Sequence, residues 1–214
     1  TLQFSGDLSA FNEVFVEQSP SNMISEAQAA RFLLQATFGP RYTDIQQVRA
    51  LGIEGWIDEQ QGLPITSSSL TSTYMDLIYN DWNSNTFSSS LYGYSYNGNE
   101  RINGINFPTA WLRAAIQSND MLRQRVAFAL NQILVASSAS AGLGNKPIGI
   151  ADYYDLMIEH AFGNFYDLLR DVTYHPIMGT YLSHLLNERA DPSANRFPDE
   201  NYAREVMQLF TIGL

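Results

Sequence analysis

Four polar side chains near the end of the chain, Asn201, Arg204, Glu205 and Gln208, fall at i, i+3, i+4 and i+7. On a helix that spacing makes one continuous stripe. Amide, guanidinium and carboxylate on one stripe form a donor set suited to acid–base work. Glu205 would act as general acid or base and Arg204 as an anion clamp, with Glu200 one turn before Arg204 and Asn201 one turn before Glu205. The plainer reading is a structural network in which Arg204 ties helices together, and it predicts a mostly buried Arg204 paired with at least one carboxylate. Tyr202, Val206, Leu209 and Phe210 supply the apolar face of the same helix.

Other chemistry is thinner. The histidines are His160, His175 and His184. His184 and Glu188 are i, i+4, a spacing that can ligate a metal on a helix, but no HExxH accompanies them and the metal is left unassigned. For each histidine a satisfied structural role is the expectation. No GxSxG elbow is present, and Gly142, Gly144 and Gly149 form a spaced loop with no preceding strand, so phosphate binding is not expected. A different kind of surface is offered by Tyr92, Tyr94 and Tyr96. Their alternation puts all three rings on one side of an extended segment, a stacking surface for a sugar polymer or a neighbouring subunit. The rival reading is that the rings pin the segment to the body.

Helices must position these groups. Ser25-Glu26-Ala27-Gln28 is a capping box that opens a helix closed by Gly39-Pro40, and Thr43-Asp44-Ile45-Gln46 repeats the device with Gly52 as its stop. A short helix carries Trp56, Ile57 and Gln60. Residues 66–72 read as a linker, and Tyr74, Leu77, Ile78 and Trp82 as another helix. Asn119-Asp120 caps a helix whose apolar face is Val126, Ala127, Leu130, Ile133 and Leu134. After a small-residue loop at 137–149, helices are predicted over 152–162, 165–173, 177–186 and 200–212. His175-Pro176 and Gly163-Asn164 punctuate them. No βαβ alternation appears, so the fold class is mainly α: an arm at 1–23, then a multi-helix domain at 24–214. That domain carries a long aromatic insertion at 83–108 holding six Asn, five Ser and three Gly, too rich in rings for a disordered segment.

Composition narrows the partners. A hydrophobic share of 45% in 214 residues builds a real core, and a formal charge of −10 argues against nucleic acid or anionic membrane as partner. No cysteine is present, which removes disulfides, thiolate metal sites and cysteine nucleophiles. No apolar run reaches the roughly 18–20 residues of a membrane span.

Several segments together resemble a bacterial family catalogued only as a domain of unknown function, number eighteen hundred. They are Ala30 to Pro40, Leu122 to Leu130, Tyr153-Tyr154-Asp155-Leu156, Ala161 to Phe165, and Pro198 to Glu205. The resemblance runs from about Ile24 to the last residue. It implies an exported protein, periplasmic or at the extracellular surface, with no established activity. Many members carry a His pair where this chain reads Leu130-Asn131-Gln132, and members continue past the position of Leu214. The expectation is therefore an N-terminal part, whose closing helix is covered by the remainder of the same precursor or by a second chain. Two functions follow. One is an extracellular or cell-surface structural or binding protein, self-assembling or binding a polysaccharide. The other is an extracellular hydrolase using the closing-helix carboxylates with residues from a second half. The first leads, because no self-contained catalytic constellation is visible.

Overall fold

The structure is a computed structural model that describes residues 24–65, 71, 106–140, 142–144 and 146–213. The arm at 1–23, the helix around Tyr74 to Trp82 and the rings of Tyr92, Tyr94 and Tyr96 lie outside the described residues. The fold is mainly α, as the sequence predicts. Among the described residues the only β pairing is an isolated bridge between Asp191 and Arg196.

Helix α1 (Glu26–Ala36) starts on the predicted capping box: Gln28 N–H donates to Ser25 Oγ at 3.2 Å, and Ser25 N–H to Gln28 Oε1 at 2.9 Å. Helix α2 (Tyr42–Gly62) takes Arg41 as its N-cap, two residues before the predicted Thr43. The carboxylate is Asp44, which accepts Arg41 N–H at 2.8 Å and Arg41 Nε at 2.9 Å, so Thr43 and Gln46 are not the box. Gly52, at φ +75°, breaks α2 at the predicted stop, because glycine, having no Cβ, reaches positive φ at little cost. Trp56, Ile57 and Gln60 ride on the second segment.

Helix α3 (Asn106–Gln117) begins inside the predicted insertion, so 106–108 belong to a helix and not to a loop. Helix α4 (Met121–Ile133) follows, then α5 (Pro147–Glu159). The latter begins five residues before the predicted Asp152, since Pro147 at the first helical position loses no hydrogen bond. Helices α6 (Phe165–Tyr174) and α7 (Pro176–Tyr181) meet at His175. The prediction of a helix to Leu186 fails here. Ser183 and Leu186 both take φ +63°, and Leu185 N–H closes on Gly179 C=O at 2.8 Å, ending the helix in a turn. The last helix, α8 (Asn201–Met207), passes into a π-helical turn at Gln208–Ile212.

Among the described residues two apolar cores result. One gathers Leu33, Val48, Trp56 and Met121, with Phe32 edge-on to Trp56 at 5.4 Å. The other gathers Tyr153, Met157, Ile158, Leu168, Met178, Tyr202 and Phe210. Helix α4 packs against α1, α2, α3 and α5 and so serves both. Its expected apolar face is only partly right: Ala127 and Leu134 are fully buried, Ile133 is exposed, and Arg123 and Gln124 take buried first-turn places.

Candidate functional site

Helix α8 is held at its start by Asn187. The Asn187 side-chain amide pairs with the Asp199 peptide in both directions, Nδ2 to Asp199 C=O at 2.8 Å and Asp199 N–H to Oδ1 at 2.9 Å. The Asp199 carboxylate then accepts Asn201 N–H at 2.8 Å, an acidic cap at the positive end of the helix. From there the predicted stripe splits. Arg204 points to solvent, 60% exposed, and its only carboxylate among the described residues is Glu200 at 3.7 Å. The expected burial of Arg204 is thus corrected. Tyr202 and Phe210 turn this short helix onto the core, which leaves the Arg204 side facing water. Asn201 is exposed as well and reaches Asp199, not Glu205.

Glu205 behaves differently. It is half-buried, and its Oε2 is shut off from solvent with no hydrogen-bond partner. Nearby on the same helix, Tyr202 stacks on His184 with ring centroids 4.1 Å apart. His184 Nε2–H donates to Thr173 C=O at 2.9 Å, while its Nδ1 is buried without a partner. Thr173 Oγ1 donates to Leu169 C=O at 2.6 Å, so the 2.6 Å contact with Tyr202 is the tyrosine hydroxyl donating to Thr173. Burial raises the Tyr202 phenol, and the Thr173 hydrogen bond only partly offsets this. Beside this stacked pair the closing segment thus holds two buried polar atoms without a partner, His184 Nδ1 and Glu205 Oε2.

Leu209 was expected on the apolar face, yet it is exposed. The π turn adds a residue to the last turn, and that shift sends Phe210 inward and Leu209 outward. Thr211 Oγ1 donates to Val206 C=O within this turn.

The other histidines are committed. His175 Nδ1 accepts Ile177 N–H at 3.2 Å to cap α7, so Nε2 carries the proton toward Asp152 Oδ2 at 3.1 Å. His160 Nε2 meets Asp171 at 2.9 Å. Arg170 first, then His160, hold the Asp171 carboxyl below its ordinary range. The His184–Glu188 metal pair does not form. His184 lies in the turn after α7, and Glu188 pairs with Arg196 at 2.6 Å. Among the described residues no group of three or more His, Asp or Glu is placed to hold a metal ion.

Sequence reasoning missed two features. The helix-tying role assigned to Arg204 belongs to Arg123. This buried guanidinium donates to Leu63 C=O at 3.2 Å and Ile158 C=O at 3.4 Å, lies 3.7 Å from Asp120 and stacks 4.6 Å over Phe162. The second is a half-open cleft of about 210 Å³ lined by α3, α4 and α5, with Trp111, Phe128 and Tyr154 in its wall. A polar residue in an apolar helix face signals the first; the paired aromatics Tyr153-Tyr154 behind Trp111 signal the second.

A mainly helical chain whose closing segment is polar and holds a buried carboxylate oxygen without a partner is the class these features define. Over residues 31–214 the sequence matches the model of a family described as Protein of unknown function (DUF1800), and the chain belongs to that family. No curated protein and no solved structure matches it. No helix among the described residues is long and apolar enough to cross a membrane.

Proposed function

We propose that this chain is an exported bacterial binding and structural protein, acting in the periplasm or at the cell surface, and that its closing segment is the face on which a second polypeptide seats. The observation that carries the docking face is the exposure of Leu185, Leu186, Phe197, Met207, Leu209 and Ile212, with Leu186 at 89% and Ile212 at 82%. Scattered single apolar residues are ordinary on a surface, but six large exposed ones between residues 185 and 212 are a concentration that suits an interaction face. Glu205 Oε2 and His184 Nδ1 add two buried acceptors in need of donors. An occupant with both apolar side chains and N–H donors is a polypeptide. The export reading draws on the family resemblance, and the −10 charge keeps nucleic acid out of the proposed partners.

Sedimentation of the chain over a concentration series tests the docking face, beside the double variant Leu209→Asp, Ile212→Asp. The parent should self-associate or bind a hydrophobic dye, and the variant should be a dye-free monomer of unchanged helicity. A parent that stays monomeric and dye-free defeats the proposal.

A second reading has one observation in its favour. A carboxylate oxygen held off solvent without a counter-charge, as Glu205 Oε2 is, suits a general acid or base in an extracellular hydrolase completed by further chain. Asn201, Arg204 and Glu200 argue against it, since all three face solvent. Glu205→Gln decides: loss of a hydrolytic activity at unchanged stability supports the enzyme, and lost association supports docking.

A further inference from the structure

We propose that the cleft between α3, α4 and α5 binds one neutral polyhydroxylated ring, a single sugar unit. This site is separate from the closing segment and does not depend on the docking reading. Among the described residues no charged one lines the cleft, so a phosphate, carboxylate or ammonium ligand would be desolvated there without a counter-ion. At about 210 Å³ it falls below the roughly 300–1,000 Å³ of drug-sized sites, room for one ring and not for an oligomer.

Its wall is preorganised. Trp111 is edge-on to Phe38 at 5.2 Å and tilted against Phe128 at 5.6 Å, and its indole N–H donates to the Tyr154 hydroxyl at 2.8 Å. Since that hydroxyl oxygen is the acceptor, Tyr154 keeps its own hydrogen, and no acceptor for it exists among the described residues. Burial keeps the phenol protonated, pushed up to about 12. The neighbouring Tyr153 hydroxyl, by contrast, is used up on Leu134 C=O at 2.7 Å. Asn131 adds an amide that both donates and accepts, and exposed Ser138 marks the mouth.

A purely apolar ligand would leave the Tyr154 and Asn131 groups unpaired at a cost. A sugar ring satisfies both halves of the site: its C–H faces lie against aromatic rings, while its hydroxyls donate and accept at the edge.

Saturation-transfer NMR and tryptophan fluorescence on the whole chain test the assignment. The probes are methyl β-glucoside and N-acetylglucosamine as neutral rings, glucuronate as a charged ring and toluene as an apolar one. The neutral sugars should bind and the other two should not. Asn131→Leu should weaken the sugars about tenfold, the worth of one hydrogen bond, at unchanged melting temperature. Tyr154→Phe should weaken the sugars likewise if Asn131→Leu disturbs the helix, with some loss of melting temperature because the Trp111 indole N–H loses its acceptor. Leu209→Asp should leave sugar binding untouched, which separates this site from the docking face. Binding of toluene or glucuronate in preference to the neutral sugars overturns the proposal. So does the absence of binding by every probe, or sugar binding indifferent to both cleft variants.

Discussion

Two arginines in this chain each sit 3.7 Å from a carboxylate about one helical turn away, Arg123 from Asp120 and Arg204 from Glu200. Their surroundings are opposite. The side chains of the first pair are 7% and 2% exposed, those of the second 60% and 78%. At equal distance the solvent decides the interaction: water and salt screen the exposed pair almost completely, while the buried pair has only protein groups to meet its charge. Arg123 therefore gathers the Leu63 and Ile158 carbonyls and the Phe162 ring around itself, binding the ends of α2 and α5 to the start of α4. Arg204 gathers nothing further among the described residues. Helical spacing alone made Arg204 the obvious tie, and burial gives that role to Arg123.

The largest effect should come from Arg123→Ala. It removes the cation beside buried Asp120, the Leu63 carbonyl loses its guanidinium donor, and the Ile158 carbonyl is left with backbone donors alone. A loss of roughly 3–5 kcal/mol in chemical denaturation is expected. Arg123→Lys should recover only a small part, because an ammonium cannot span both carbonyls or stack on Phe162. A loss below about 1 kcal/mol for Arg123→Ala would erase the contrast between the two pairs.

Alkaline pH should act next. Tyr154 titrates at about 12 in the fold against an ordinary value near 10. Burial also pushes the Tyr153 phenol up, further than Tyr154. For a phenol raised in this way, both states keep the proton below the unfolded value, and its contribution to stability is fully present there. As pH climbs from about 10 to about 12 the unfolded chain ionises first, and roughly 2–3 kcal/mol from Tyr154 is lost. Denaturation midpoints should fall steeply across that window. Trp111→Phe removes the hydrogen bond that lowers Tyr154, so tyrosinate absorbance should then rise at still higher pH, unless unfolding comes first. A flat midpoint through the window would contradict the buried hydroxyls.

What was readable in the sequence was local. Ser25 and Gln28 make their box, Gly52 breaks α2 and His175-Pro176 separates α6 from α7, each by chemistry contained within a few residues. What was not readable depends on distant partners. Asp120 makes no side-chain cap for α4. The cap comes from Gln60 on α2, whose Oε1 accepts Leu122 N–H at 3.2 Å while its Nε2 donates to Asn119 C=O at 3.1 Å. Nothing within residues 119–122 announces that. The candidate site divides in the same way: the pairing of Arg204 with Glu200 follows from spacing, whereas the inward Glu205 and outward Leu209 depend on core contacts and a π turn. Gln60→Ala should accordingly cost about 1–2 kcal/mol, the worth of a helix cap plus a buried unsatisfied group. An unchanged midpoint would mean that another group caps α4.

The smallest effect should come from Arg204→Ala. With its guanidinium mostly in water and Glu200 as its only ion-pair partner among the described residues, the substitution should shift stability by no more than about 0.5 kcal/mol. Raising the salt concentration should leave even that difference smaller, since the pair lies within reach of mobile ions. The same side chain has a second use as a probe. It sits on the short helix that ends in exposed Met207, Leu209 and Ile212, so a polypeptide seated there would bring Arg204 into its polar rim. Arg204→Ala should then slow association in a salt-dependent way while the melting temperature of the separate chain stays fixed. If the substitution instead costs the separate chain 2 kcal/mol or more, some part of the molecule already covers Arg204, and the proposed face is occupied from within.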